Sequence, residues 1–371
     1  GSGTIQDALN ATSDGDTVEV QPGTYTETLT VDTEITLVAP NGATLNGSSF
    51  GIDSTGIYVD RNVSTGLTID GFTVESYGDG ISVGAAPDEG SEDAGESGLV
   101  RDGIAGGWTI QNVVVRNNAE DGIDIPSATD TAWTLTNVTA TGNGDEGIEV
   151  GNFATPNVDW IIDGANASNN GAHGILVSEG YGAWTIQNAV TNDNGDNGES
   201  GVNVVISGGT WSITDHTATG NDRSGINVPS SDAGLIERAN LSENRQFGLE
   251  AQTDGDWTLR DSLVLNNDEN GVYDSTTASS FLIENVTIRG NGYDGVFLLD
   301  NTGDWQILDS VIENNGETDS ADFPGAGIDA EGTSGSWIVN NTSIAGNYEA
   351  GIYAVDGPFP FGDATDNWWG Q

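Results

Sequence analysis

Apolar and polar residues alternate along this chain in short stretches, and the stretches recur. WTIQNVVVRNNAEDGIDI (108–125) is followed at Trp133 by WTLTNVTATGNGDEGIEV, almost the same sentence. Successive copies open at Leu67, Trp108, Trp133, Trp160, Trp184, Trp211, Gly234, Trp257, Phe281, Trp305 and Trp337, most of them 23 to 27 residues apart. Three aliphatic columns run through the copies, as in Ile110, Val115 and Ile123 of the first Trp copy. Alternation with period two around each column is the signature of a strand with one buried face. A unit this small cannot bury an apolar face alone, but stacked copies can. Three strands per copy predict an all-β, right-handed parallel β-helix solenoid, and eleven coils at about 4.8 Å each predict a rod very roughly 60 Å long.

Two further columns carry Asn. One lies ten residues after the Trp position, from Asn118 to Asn347, with Tyr77 in the first copy; the other lies four after it and holds Asn, Asp or Gly. Both residue types tolerate the left-handed backbone of a tight turn, and stacked amides can bond from coil to coil. These Asn are read as structural. The Trp column shares a face with the first aliphatic column and is placed inside, stacked at a corner; an outward stripe for sugar stacking is the alternative. Thr4 and Asp7 form a capping pair before Ile5, Ala8 and Leu9, which predicts a short helix over the first open coil. The expected organisation is one domain over 1–371. Residues 1–14 are a cap, 15–66 irregular first coils, 67–356 regular coils with insertions at 84–107 and 317–326, and 357–371 a second cap.

Composition then narrows the surroundings. The 371 residues hold 58 acidic and 8 basic side chains, all of the latter Arg, for a net charge of −50. Such a surface repels itself in dilute buffer and is screened in molar salt, so the expectation is adaptation to high salt. A nucleic-acid partner is excluded for want of a basic patch. No run of apolar residues is long enough to span a membrane, and the absence of Cys removes disulfides and thiolate metal sites.

The opening GDTVEVQPGTYTE, the repeated N-x-x-x-G-I and the closing NWWG resemble the pectate-lyase-like β-helix superfamily, in its short-repeat, NosD-like and cell-surface branch. The resemblance covers nearly the whole chain and implies the fold strongly. For function it implies a range, from lyases and hydrolases to viral spikes and adhesins. Combined with the Lys-free, acid-rich composition, the chain resembles a protein of a halophilic archaeon or its virus.

Candidate chemistry lies on the third strand of each coil. One patch is acidic: Asp124 and Glu149 on neighbouring coils, with Asp121 and Glu146 in the turns before them, a set suited to a hard cation such as Ca²⁺. PDEGSEDAGES (87–97) emerges near the same end. His173 continues the Asp121–Glu146 row, so Asp121, Glu146 and His173, with Arg116 or Arg101 as the nearest cation, are the candidate catalytic set if the chain is an enzyme. A lyase of the superfamily needs a base, typically Lys or Arg; Lys is absent here, and Arg is hard to deprotonate. The second patch is Glu250, Tyr273, Phe297, Asp329 and Tyr353, acids beside aromatics, suited to glycans. The leading expectation is a non-catalytic extracellular module (stalk, spike or adhesin) at a cell or virion surface. Its partners would be glycans or neighbouring surface proteins, with self-association open; no cofactor is required, and Ca²⁺ is the candidate ion for the acidic patch. The alternative is a polysaccharide lyase or glycoside hydrolase acting on extracellular glycans.

Overall fold

A computed structural model describes residues 3–60, 63, 66–84, 107–125, 132–151, 158–180, 182–195, 198–253, 255–275, 278–316, 325–355 and 362–370. The acidic run 87–97, Arg101, most of the insertions expected at 84–107 and 317–326, and much of the cap expected at 357–371 lie outside the described residues. The chain divides into two units, Gly1–Thr185 and Ile186–Gln371. Both are parallel β-solenoids, about 11 turns in all, built from three sheets with a single short helix among the described residues.

The first unit begins with the helix Ile5–Leu9, whose Thr4–Asp7 capping box is formed and whose Ile5 and Leu9 are buried. Glu27 accepts hydrogen bonds from the Ile5 and Gln6 backbone amides. The Gln6 side-chain amide then pairs with the Thr30 backbone, accepting from its N–H at 2.7 Å and donating to its carbonyl at 3.2 Å. It thereby imitates a neighbouring strand along Leu29–Val31, the first strand of the third sheet, and covers an edge that would otherwise be open. In the first coils the opening two strands are fused: Thr68–Glu75 pairs with both Trp108–Gln111 and Val114–Arg116. Thr36–Asn46 runs beside it with a register shift between Val38 and Ala43, where Pro40, Asn41 and Gly42 bulge out.

Pairing is in register, so like stands beside like. In the first unit Ile110, Leu135 and Ile162 are neighbours; in the second, Ile236, Leu259, Ile283, Ile307 and Val339. All are buried. The Trp column is inside, as expected. Trp108, Trp133, Trp160 and Trp184 stack at 4.9–5.2 Å in the first unit. Trp257, Phe281, Trp305 and Trp337 stack at 4.6–6.0 Å in the second. Where Gly234 interrupts the column, the Trp211 indole fills the space: a Cβ on Gly234 would lie 1.9 Å from it.

The expected Asn ladder is present, three rungs in one unit (Asn118, Asn143, Asn170) and seven in the other (Asn194 to Asn347). Within each unit, Nδ2 of one rung donates to Oδ1 of the next at 2.9–3.1 Å. The same Oδ1 accepts the backbone N–H of the preceding rung, as from Asn221 to Asn244 at 3.1 Å. The left-handed residues are different ones. They fall four after the Trp position (Asn112, Asn137, Asp261, Asn341) and one before each rung (Asn117, Asn169, Asn266, Asn314, with φ of 54–59°). An Asn pair therefore divides its work: the first residue makes the turn and the second makes the ladder.

Two coils depart from the three-strand expectation. In those opening at Trp160 and Trp184, the second segment contributes only the isolated bridges Thr139–Asn166 and Val190–Thr217. Local side chains compete with the ladder there. Ser168 Oγ donates to Asn166 Oδ1 at 2.7 Å, and Asn192 Oδ1, not a backbone carbonyl, accepts the Thr219 N–H.

Removing a mid-ladder rung should be costly. Asn244→Ala strips the acceptor shared by the Asn221 backbone and side chain, and the donor to Asn267 and the Ala218 carbonyl. A buried group left unsatisfied costs about 1–3 kcal/mol, so with more than one group stranded a loss of about 4 kcal/mol is expected by denaturant melts. The exposed Asn10→Ala change should have little effect.

Candidate functional site

Two rows of outward side chains run along the third sheet of the first unit. One is the residue just before the regularly spaced Gly of each strand: Asp79, Asp121, Glu146 and His173. They are aligned because the Gly80 N–H bonds to the Asp121 carbonyl, Gly122 to Glu146 and Gly147 to His173. The other is the middle of the strand: Tyr58, Ser82, Asp124, Glu149 and Leu176, neighbours in register. Three coils thus place five carboxylates on one face. Carboxylate oxygens of Asp121, Asp124 and Glu149 lie within 4.8 Å of one another, as do those of Asp121, Asp145 and Glu146.

Among the described residues the surroundings are short of counter-charge. None of the ion pairs among the described residues includes these acids. Asp121 Oδ1 accepts the Glu146 backbone N–H at 2.9 Å, and Asp79 Oδ1 accepts that of Asp121 at 3.3 Å. Glu149 accepts from Ser178 Oγ at 3.3 Å. Asp124 Oδ1 is buried with no donor. Burial first, and mutual repulsion second, make ionisation expensive. Burial and Glu120 push Asp79 up to about 6, and burial and Glu149 push Asp124 up to about 8. Asp121 is raised by burial and by Glu146, Glu146 by burial and by Asp145, and Glu149 mainly by burial.

Asp121, Asp124, Glu146 and Glu149, expected together, are together, and His173 continues their row. Arg116 does not join them. It ends the second strand of its coil and holds Glu75 of the preceding coil at 2.8 Å, so the proposed His173, Glu146, Asp121 and Arg116 set does not converge. The chain's other histidine, His216, is sealed in the core with its ring within 3.0 Å of Thr191 Oγ1. Asp79 was not among the expected ligands, although D-G-I-S (79–82), D-G-I-D (121–124) and E-G-I-E (146–149) are one pattern and carried the signal.

In the second unit, Asn203, Asn227, Glu250, Tyr273, Phe297, Asp329 and Tyr353 form the corresponding row. Arg223 grips Glu250 with Nε and Nη2 at 3.1 and 2.9 Å, and Ser224 Oγ adds a third bond. Phe247 stacks on Tyr273 at 4.9 Å, and Tyr273 meets Phe297 at 5.6 Å. Because the rings stack on one another, this row presents ring edges outward more than faces.

Residues 200–360 match the family model described as right handed beta helix region. No curated protein matches the chain. Among solved structures, it is similar to the A-module of mannuronan C-5 epimerase AlgE4 of Azotobacter vinelandii (17% identity, TM-score 0.44, covering 99% of this chain and 89% of that one). It is also similar to pectate lyase Pel9A (14%, 0.34, 97% and 73%). A third similar structure is PfbA, a surface adhesin of Streptococcus pneumoniae (16%, 0.34, 99% and 87%). At these identities and scores the neighbours assign no activity to the chain.

The raised acids carry a pH signature. An acid whose pKa is higher folded than unfolded binds its proton more tightly in the folded state, so its stabilising effect is complete below the ordinary pKa of about 4. That contribution is lost as pH rises through about 6 for Asp79 and about 8 for Asp124. In chelator-treated protein the melting temperature should fall from about pH 5 to about pH 8.5, and Asp124→Asn should flatten that slope and raise the melt at the alkaline end. A variant that melts lower than the parent there would show that Asp124 is not a strained anion.

Proposed function

We propose that this chain is a non-catalytic β-helix module displayed at a cell or virion surface in a salty medium, loaded with Ca²⁺ on the third-sheet face of its first unit. The observation that carries the reading is the pair of overlapping carboxylate trios with no basic partner among the described residues. Ca²⁺ takes six to eight oxygens at about 2.3–2.6 Å, and Asp121, Asp124 and Glu149 are the natural core of such a set, with Asp145 and Glu146 at its flank. A bound cation would supply the missing counter-charge and let the acids ionise without their present penalty.

The glycan reading belongs to the second unit. The Arg223–Glu250 fork beside Phe247, Tyr273 and Phe297 supports it, since a fixed polar pair next to an aromatic row suits sugar hydroxyls and C–H edges. Tyr353 extends the same surface, with Asp329 buried between it and Phe297. A polysaccharide lyase or hydrolase is the rival, and against it stands the dispersed set described above: no Lys, Arg116 held by Glu75, His216 in the core.

Calorimetry with Ca²⁺ at molar NaCl tests the reading. Saturable binding is expected, lost in Asp124→Asn/Glu149→Gln; binding indifferent to both changes would overturn it. No cleavage of pectate, alginate or neutral glycans is expected with Ca²⁺ present. Release of unsaturated or reducing ends, abolished by changing His173 or Glu146, would install the enzyme instead. For the salt adaptation, the melting temperature should climb steeply from roughly 0.1 to 2 M NaCl as repulsion is screened. An unchanged midpoint would remove that part of the proposal.

A further inference from the structure

The third sheet repeats a diagonal acid pair that the acidic face of the first unit makes plain. A turn acid, one residue before the Gly, spends one oxygen on the backbone N–H of the equivalent turn residue in the next coil. The row acid two residues after that coil's Gly then stands beside it. Asp121 does this with the Glu146 N–H and with Glu149. Asp79 does it with the Asp121 N–H and, through its charge, with Asp124.

The second unit holds the same arrangement at Asp294. Its Oδ1 accepts the Ala326 N–H at 2.6 Å, Ala326 being the turn residue of the next coil, and the row residue after Gly327 is Asp329. Asp294 is only 2% exposed and Asp329 only 4%. Asp329 Oδ1 has no hydrogen-bond partner. After burial, the largest influence on Asp329 is the charge of Asp294, and Glu349 acts on both. Two nearly sealed carboxylates thus lie on one such diagonal, an oxygen of Asp329 is left without a partner, and no ion pair among the described residues reaches them. An isolated buried anion is too expensive to leave so. A surface of solvated acids does not explain it either, because these two are not solvated.

We propose that Asp294 and Asp329, with Glu349 at the rim, form a second divalent-cation site, separate from the acidic face of the first unit. Oxygen ligands of this kind select a hard cation, Ca²⁺ over a soft one, with water completing the shell. In register, Asp329 is flanked by Phe297 and Tyr353, so the site lies within the aromatic row. A cation there would give that row a fixed positive centre for sugar hydroxyls, which ring edges alone do not provide.

Position within the row supplies the readout. Tb³⁺ replaces Ca²⁺ and emits when a neighbouring tyrosine is excited. The full chain, stripped with chelator, is titrated with Ca²⁺ by calorimetry and with Tb³⁺ by luminescence. Asp329→Asn and Asp294→Asn are each expected to lower the Ca²⁺ stoichiometry by one and to remove a sensitised Tb³⁺ component. Tyr353→Leu should dim that component while leaving the calorimetric stoichiometry intact. Asp124→Asn/Glu149→Gln should leave the component in place, so the two sites fail independently. If one Asp variant does not fold, the other decides; Asn at 294 keeps an oxygen for the Ala326 amide. Unchanged stoichiometry and emission in a folded Asp329 or Asp294 variant would overturn the proposal and leave Asp329 as a protonated acid. So would loss of all binding in Asp124→Asn/Glu149→Gln.

Discussion

In-register stacking at the spacing of parallel strands governs everything else in this molecule. Each side chain has as its nearest neighbour the equivalent side chain one coil away, about 4.8 Å along the axis. For Ile on Ile that contact is apolar burial, for Trp on Trp an offset stack, and for Asn on Asn a hydrogen bond in which donor and acceptor both lie on the same residue type. The repeat selects residues that are good neighbours to themselves. This is why the columns are so nearly uniform, and why Gly234 is tolerated only with the Trp211 indole lying over it.

A carboxylate is a bad neighbour to itself. Two unit charges about 5 Å apart repel by about 3 kcal/mol at an effective dielectric of about 20. A chain with 58 acidic residues must nonetheless put many of them on its outward positions. Where the positions are exposed, water and salt screen them. Where they are nine-tenths buried, as at Asp121, Glu146, Asp294 and Asp329, neither does, and the penalty shows as carboxyl groups raised above their ordinary range.

Most of the architecture was readable in the sequence because a stacked column repeats its residue type. Trp, Ile and Asn columns pointed to the fold, the strand number and the ladder, and Thr4 with Asp7 pointed to the cap. Three things were not legible. The division of each Asn pair into a turn residue and a rung depends on backbone angles that spacing along the chain cannot encode, since either member suits either role. The loss of the second strand at Asn166 and Asn192 depends on local side-chain bonds. The partnership of Asp79 and of Asp294 depends on a diagonal between coils, and the number of residues separating such partners varies with each loop. Asp121, Asp124, Glu146, Glu149 and Asp329 were named in advance; Asp79 and Asp294 were not, nor could the sequence tell which acids lose their water.

The few arginines show what the fold does when an acid is neutralised from within. Arg116 stands beside Glu75 in register, and Arg260 beside Glu237. Arg238 and Arg245 reach back one coil to Asp215 and Asp222. Each places a cation in the column, or the adjacent one, where the acid's own kind would otherwise be, converting repulsion into attraction at the same spacing. Arg238 does so even from a left-handed backbone, at φ 53°, a conformation an ordinary side chain resists. Among the described residues the device serves exposed and buried acids alike: Asp215, held by Arg238, is exposed, whereas Glu250, held by Arg223, is sealed. None of the ion pairs among the described residues reaches Asp121, Asp124 and Glu149, or Asp294 and Asp329. Under the proposed reading, a cation drawn from solvent would do for these acids what Arg223 does for Glu250.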